Sequence, residues 1–204
     1  MTIQFQLSKE ASAPITFNLN KVQEYIVELY WQSAHDLDVH AFLLTNDVIT
    51  GYDDIVSTYN PTLVLQSDGV TKRIAGDKRP FQNVQGSVLH NGDAKTGLNP
   101  NEALPDEQLK INLSSIKAGQ TSIPFFVSIH PPANSKFKEV ADLRLVIKQC
   151  DGTKLLEAHL GRDFDQYDMV QVGMLVKNTS GDWLFDPKAV GLNGDFNTLV
   201  GAFQ

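Results

Sequence analysis

A single cysteine, Cys150, stands among 204 residues, which excludes an internal disulfide and a zinc site built on several thiolates. Long apolar runs are missing as well. None approaches the ~20 residues that span a bilayer, so no membrane insertion is expected. Basic charge is scarce: 17 Lys and Arg face 24 Asp and Glu, a formal net charge of −7. Such an acidic excess repels phosphate backbones, and nucleic acid is not an expected partner. The N-terminal MTIQFQLSKE lacks a basic segment followed by an apolar core, the form of a secretory signal. A soluble, cytoplasmic protein is the expectation. Motifs of common enzymes are lacking too. There is no G-x-S-x-G, no phosphate-cradling G-x-x-x-x-G-K-[ST], no G-x-G-x-x-G after a strand and no H-E-x-x-H.

Strand patterns are abundant. Leu109, Ile111 and Leu113 alternate with Gln108, Lys110 and Asn112, the period of a half-buried strand. Val39–Leu44 is nearly all apolar, and further β-rich runs cover residues 25–31, 123–129, 143–147, 155–160, 169–176 and 183–185. Turn signals separate them, among them Asn91-Gly92, Ser180-Gly181 and Asp151-Gly152; the last predicts a hairpin. Helical periodicity is confined to the C-terminus, where Phe196, Leu199, Val200 and Phe203 share one face after a polar start. These patterns predict an all-β fold: one β-sandwich domain, residues 1–204, of mostly antiparallel strands with a short C-terminal helix. Two loops stand out, 66–85 and the acidic 91–106.

Three acidic groups could carry chemistry. In an extended chain Asp36 and Asp38 point the same way, and two adjacent carboxylates need a raised pKa, a basic neighbour or a cation. The loop Asn91-Gly92-Asp93-Ala94-Lys95-Thr96-Gly97 offers a carboxylate and carbonyls, and Asp106-Glu107 follow it. Calcium prefers six to eight such oxygens, although Thr96 stands where an EF-hand needs glycine. Asp53, Asp54 and Asn60 form the third group. Each group alone reads equally well as solvated surface. Oxygen-rich surroundings favour a hard ion over zinc, so no histidine is expected as a ligand. His90 is expected to orient the neighbouring loop through a hydrogen bond. Trp31 and Trp183 read as core.

Taken together, DLDVHAFLL (36–44), DDIVSTYN (53–60), GSVLHNGDAKTG (86–97), DEQLKINLSSI (106–116), FFVSIH (125–130) and DWLFDPKAVGLNGDF (182–196) resemble the TerD family of tellurium-resistance and stress-response proteins. The resemblance implies a calcium-binding β-sandwich with acidic loops at one end, no catalytic activity and a cytoplasmic setting. By position it assigns metal binding to Asp36 and Asp38, to Gly92 and Asp93 in the loop, and to Asp106 and Glu107. Asp54 and Asn60 match its Asp-then-Tyr-Asn block. One or two Ca2+ ions are implied, with other tellurium-resistance-type proteins or a second copy of the chain as partners. Pro105 stands where the family has another acid, which marks a divergent member. A metal-independent assembly scaffold and, further off, a metal-dependent hydrolase using the same acids are the competing readings.

Overall fold

The alternating runs become strands. In chain order these are β1 (Phe17–Leu19), β2 (Glu24–Gln32), β3 (Leu37–Phe42), β4 (Ile55–Val56), β5 (Val64–Leu65), β6 (Phe81–Gln82) and β7 (Val88–His90). There follow β8 (Glu107–Asn112), β9 (Ser122–Ile129), β10 (Ala141–Gln149), β11 (Lys154–His159), β12 (Met169–Lys177), β13 (Trp183–Asp186) and β14 (Val190–Leu192). Helices are few: α1 (Leu160–Asp163) and α2 (Phe196–Gly201), besides short 3-10 turns. The structure is a computed structural model that describes residues 17–19, 24–60, 64–65, 78–99, 101, 103–130, 135–187 and 189–204.

Two sheets form, with every pairing antiparallel. One runs β1-β13-β12-β9-β3-β4, with β14 also on β12; the other runs β11-β10-β2-β8-β7-β6-β5. Their inner faces share one core. Val27, Leu29, Trp31, Leu109 and Ile111 from the second sheet meet Leu37, Val39, Phe125, Val127 and Val170 from the first. Trp31 and Trp183 are both buried there. Between β10 and β11 the expected hairpin turns at Gly152, whose φ of +89° suits glycine.

The run at Val39–Leu44 has few polar breaks because β3 is buried on both faces. Its outer row ends in Phe42, which packs with Phe126, Met169, the apolar face of α2 (Phe196, Leu199 and Val200) and Phe203 just beyond it. Asp195 caps that helix by accepting from the Thr198 N–H. Of the loop expected at 66–85, residues 66–77 lie outside the described residues, and the remainder contains β6. The described part of 91–106 carries no strand or helix.

Candidate metal centre

The first turn of the site is built by Trp31. Its indole N–H donates to the His35 carbonyl at 2.9 Å, and the His130 N–H donates to the Asp36 carbonyl at 2.7 Å. The crossing from β2 to β3 is thereby pinned at the sandwich rim, with Asp36 just ahead of the strand and Asp38 on its outer face. β4 pairs only with Ala41 and Phe42, so the β3 edge is open at Val39. Glu107, reaching inward from β8 in the facing sheet, meets it there: the Val39 N–H donates to Glu107 Oε2 at 2.7 Å. The other oxygen of Glu107 accepts from the Ala94 N–H at 3.3 Å.

That second bond brings the acidic loop against β3. Gly92 makes the approach possible, with φ +109° and a Cβ position that would lie 2.1 Å from the Lys78 carbonyl oxygen. Its N–H donates to His90 Nδ1 at 3.0 Å, the orienting contact expected of that histidine. Further along, the Gly97 N–H donates to the Ser33 carbonyl at 3.0 Å. Asp93 is thereby delivered to Asp36 and Asp38, and one ligand atom from each of the three lies within 4.8 Å of the others.

The electrostatics are those of a crowded anionic seat. Burial raises the pKa of Asp36, opposed by the hydrogen bond from Lys95. Burial raises Asp38 too, opposed by the Thr58 hydroxyl, which donates at 2.5 Å. Glu107 is held well above the usual carboxylate range by burial and by the nearby Asp38 charge, against the pull of the Val39 and Ala94 N–H groups. The Lys95 ammonium bridges Asp36 at 3.0 Å and Asp93 at 2.8 Å. Asp36 Oδ1, Asp38 Oδ2 and Asp93 Oδ1 nevertheless have no close hydrogen-bond donor among the described residues, although near Asp38 lie the Tyr59 hydroxyl, itself engaged with His130, and His130 Nδ1 at 3.9 Å from Oδ2. Buried, unsatisfied carboxylate oxygens are costly. Ligands 2.3–2.6 Å from a common calcium lie at most about 5 Å apart, so these acids fit a hard divalent cation.

Not all the sequence-derived residues join this group. Asp106 accepts from the Trp31 N–H at 3.0 Å and holds the end of β2. Asp54 lies in a separate polar knot, accepting from the Thr50 N–H and hydroxyl and from Gln120 Nε2. The Asn60 amide donates to the Tyr52 and Ile55 carbonyls, both at 2.6 Å. Conversely, Lys95, Thr58 and Tyr59 were not singled out from sequence, although all three lie inside the acidic motifs. Tyr59 stacks on His130 at 5.3 Å and contacts its Nδ1 through the hydroxyl.

Comparison with known proteins agrees with this architecture. Over 112 residues, 53% of this chain and 56% of the relative, it is 29% identical to general stress protein 16U of Bacillus subtilis (strain 168). The match thus spans little more than half the length of that protein. Among solved structures, SAV2460, a protein of unknown function, shares the fold with a TM-score of 0.67 at 20% identity, covering 91% of this chain and 99% of its own. A homologue of the telluride resistance protein TerD, SCO6318 from Streptomyces coelicolor A3(2), does so with a TM-score of 0.64 at 18% identity, covering 88% and 95%. The TerD domain matches residues 1–203, nearly the whole sequence: this chain belongs to the TerD domain family.

Proposed function

We propose that this protein binds calcium through Asp36, Asp38 and Asp93 and serves as a non-enzymatic stress-response or tellurium-resistance-type protein of the cytoplasm. The observation that carries the reading is the convergence of three acids, each of which keeps one buried oxygen without a close hydrogen-bond donor. Hard carboxylate oxygens select a hard ion, and the remaining coordination sites would fall to carbonyls and water. Glu107, Gly92 and Asp106 act by position, holding the loop and the strand end that present the ligands. One ion per chain is the reading, because Asp54 is engaged with Thr50 and Gln120. The stress-protein and telluride-resistance relatives support a binding role rather than a catalytic one.

Calcium would stiffen the loop that carries Asp93. That loop exposes Leu98 and Leu104, apolar side chains suited to a protein partner, either another tellurium-resistance-type protein or a second copy. Calorimetric titration with calcium is the direct test. Wild type is expected to saturate near one ion per chain, and the Asp36→Asn/Asp38→Asn double variant to bind at least about tenfold more weakly. A flat titration of correctly folded wild type sinks the reading.

A further inference from the structure

The residue that bears on the acids from outside their number is Lys95. Its ammonium lies within hydrogen-bond distance of both Asp36 and Asp93. Neither carboxylate can hold a divalent ion in the same place without bringing two positive centres within a few ångströms. At such separations like charges repel strongly, and more so where burial limits screening. The three carboxylates, meanwhile, are too close to stay ionised together on one rim without a counter-charge. Lys95 supplies one from within the chain.

We infer that the Lys95 ammonium and a divalent cation occupy the Asp36–Asp93 seat alternately, so that Lys95 is a tethered competitor that sets the affinity of the site. The inference rests on the calcium reading above and deepens it. The exchange requires that the backbone stay put while the side chain leaves, and the contacts permit this. On either side of Lys95 the chain is anchored by the Ala94 N–H on Glu107 and the Gly97 N–H on Ser33. The Lys95 side chain is 41% exposed whereas that of Asp93 is 1% exposed, so the cation can depart and the ligand cannot. A cavity of about 360 Å³ beside the acids, lined by Lys78, Lys95, Thr96 and Asn99 among others, gives the displaced ammonium room next to solvent.

Without a metal, Lys95 keeps the acids together; with one, it weakens binding by the cost of its own displacement. A tethered group competes at a high effective concentration, so its removal should have a large effect. The test is calorimetric titration with calcium chloride of wild type, Lys95→Met, Lys95→Gln and Lys78→Met, with thermal melts in EDTA and in saturating calcium. Both Lys95 variants are expected to bind calcium at least about tenfold more tightly than wild type. In EDTA they should melt below wild type, and in calcium at or above it. A merely structural lysine would lower both melts alike. Lys78→Met lines the same cavity without touching the acids and should stay within about twofold of wild type.

If wild type binds and the Lys95 variants bind no more tightly, the inference falls while the calcium reading survives. If Lys78→Met gains as much as Lys95→Met, the effect is one of general field, and the inference falls. If only the Lys95 variants bind, Lys95 closes the seat outright in the natural chain, and both the alternation and the calcium reading are refuted. If no protein binds, both are refuted. Variants that fail to fold even with calcium present show that the seat is not exchangeable and overturn the inference.

Discussion

Glu107 and His40 are both wholly buried, and burial acts on them in opposite senses. It disfavours whichever form is charged, so Glu107 is pushed up and His40 is pushed down to about 3. His40 lies next to Asp38 on the outer row of β3. Its Nε2 is 2.8 Å from the Ser128 hydroxyl and its ring packs on Phe196 at 5.1 Å. The unfolded chain takes up a proton on this imidazole below about pH 6.5, while the folded chain resists until near 3. The folded pKa is the lower one, so its share of stability is full above about 6.5 and is lost as pH falls. The loss amounts to roughly 1.4 kcal/mol per pH unit. Replacing His40 with Met should flatten the fall in unfolding free energy between about pH 7 and pH 5 relative to wild type. Urea melts across that range check it, and parallel slopes would show that another group governs the acid side.

At the scale of elements, the site depends on where strands end. β4 is too short to cover Val39, and that shortfall opens the edge on which Glu107 docks. The acidic loop then approaches through Gly92, where a side chain would meet the Lys78 backbone and would also have to adopt φ +109°. A Gly92→Ala change should therefore cost about 2 kcal/mol or more. It should also weaken calcium binding by shifting Asp93, two effects that a melt and a titration of the same variant separate. Unchanged stability would mean the segment at Lys78 yields without resistance. Further along the same outer face, α2 covers Phe42 and Phe126, so β3 passes from a polar rim at Asp38 to an apolar bed at Phe42 within five residues.

For the whole molecule, the rim that closes the sandwich is also where the proposed metal ligands Asp36, Asp38 and Asp93 meet. Glu107 bridges from β8 to β3, and the three acids come together only when both sheets are assembled. A cation that binds only the folded state stabilises it by about 2.7 kcal/mol at 100 times its dissociation constant. Melting temperature should rise with calcium and rise less with magnesium, which demands near-octahedral geometry and gives up its waters reluctantly. Differential scanning calorimetry across both ions decides this. An equal response to the two, or none to calcium, would contradict a calcium-selective rim.

Much of this was legible in the residues themselves, because strand periodicity and helix faces are local. The alternation of residues 108–113, the Asp151-Gly152 turn and the apolar face of α2 needed no knowledge of distant partners. The same holds for Asp36 and Asp38, which two-residue spacing places on one side of an extended chain. Pairing between strands is not local, and it alone determined which acids meet. Asp93 arrives 55 residues after Asp38 because Glu107 and Gly92 dock its loop, while Asp54, equally acidic in sequence, turns to Thr50 and Gln120. Nothing in the sequence around Lys95 gives it a role; the fold sets its ammonium between two carboxylates. Charge type is written in the chain; which charges share a low-dielectric rim follows from sheet register and edge length, which no short window of sequence contains.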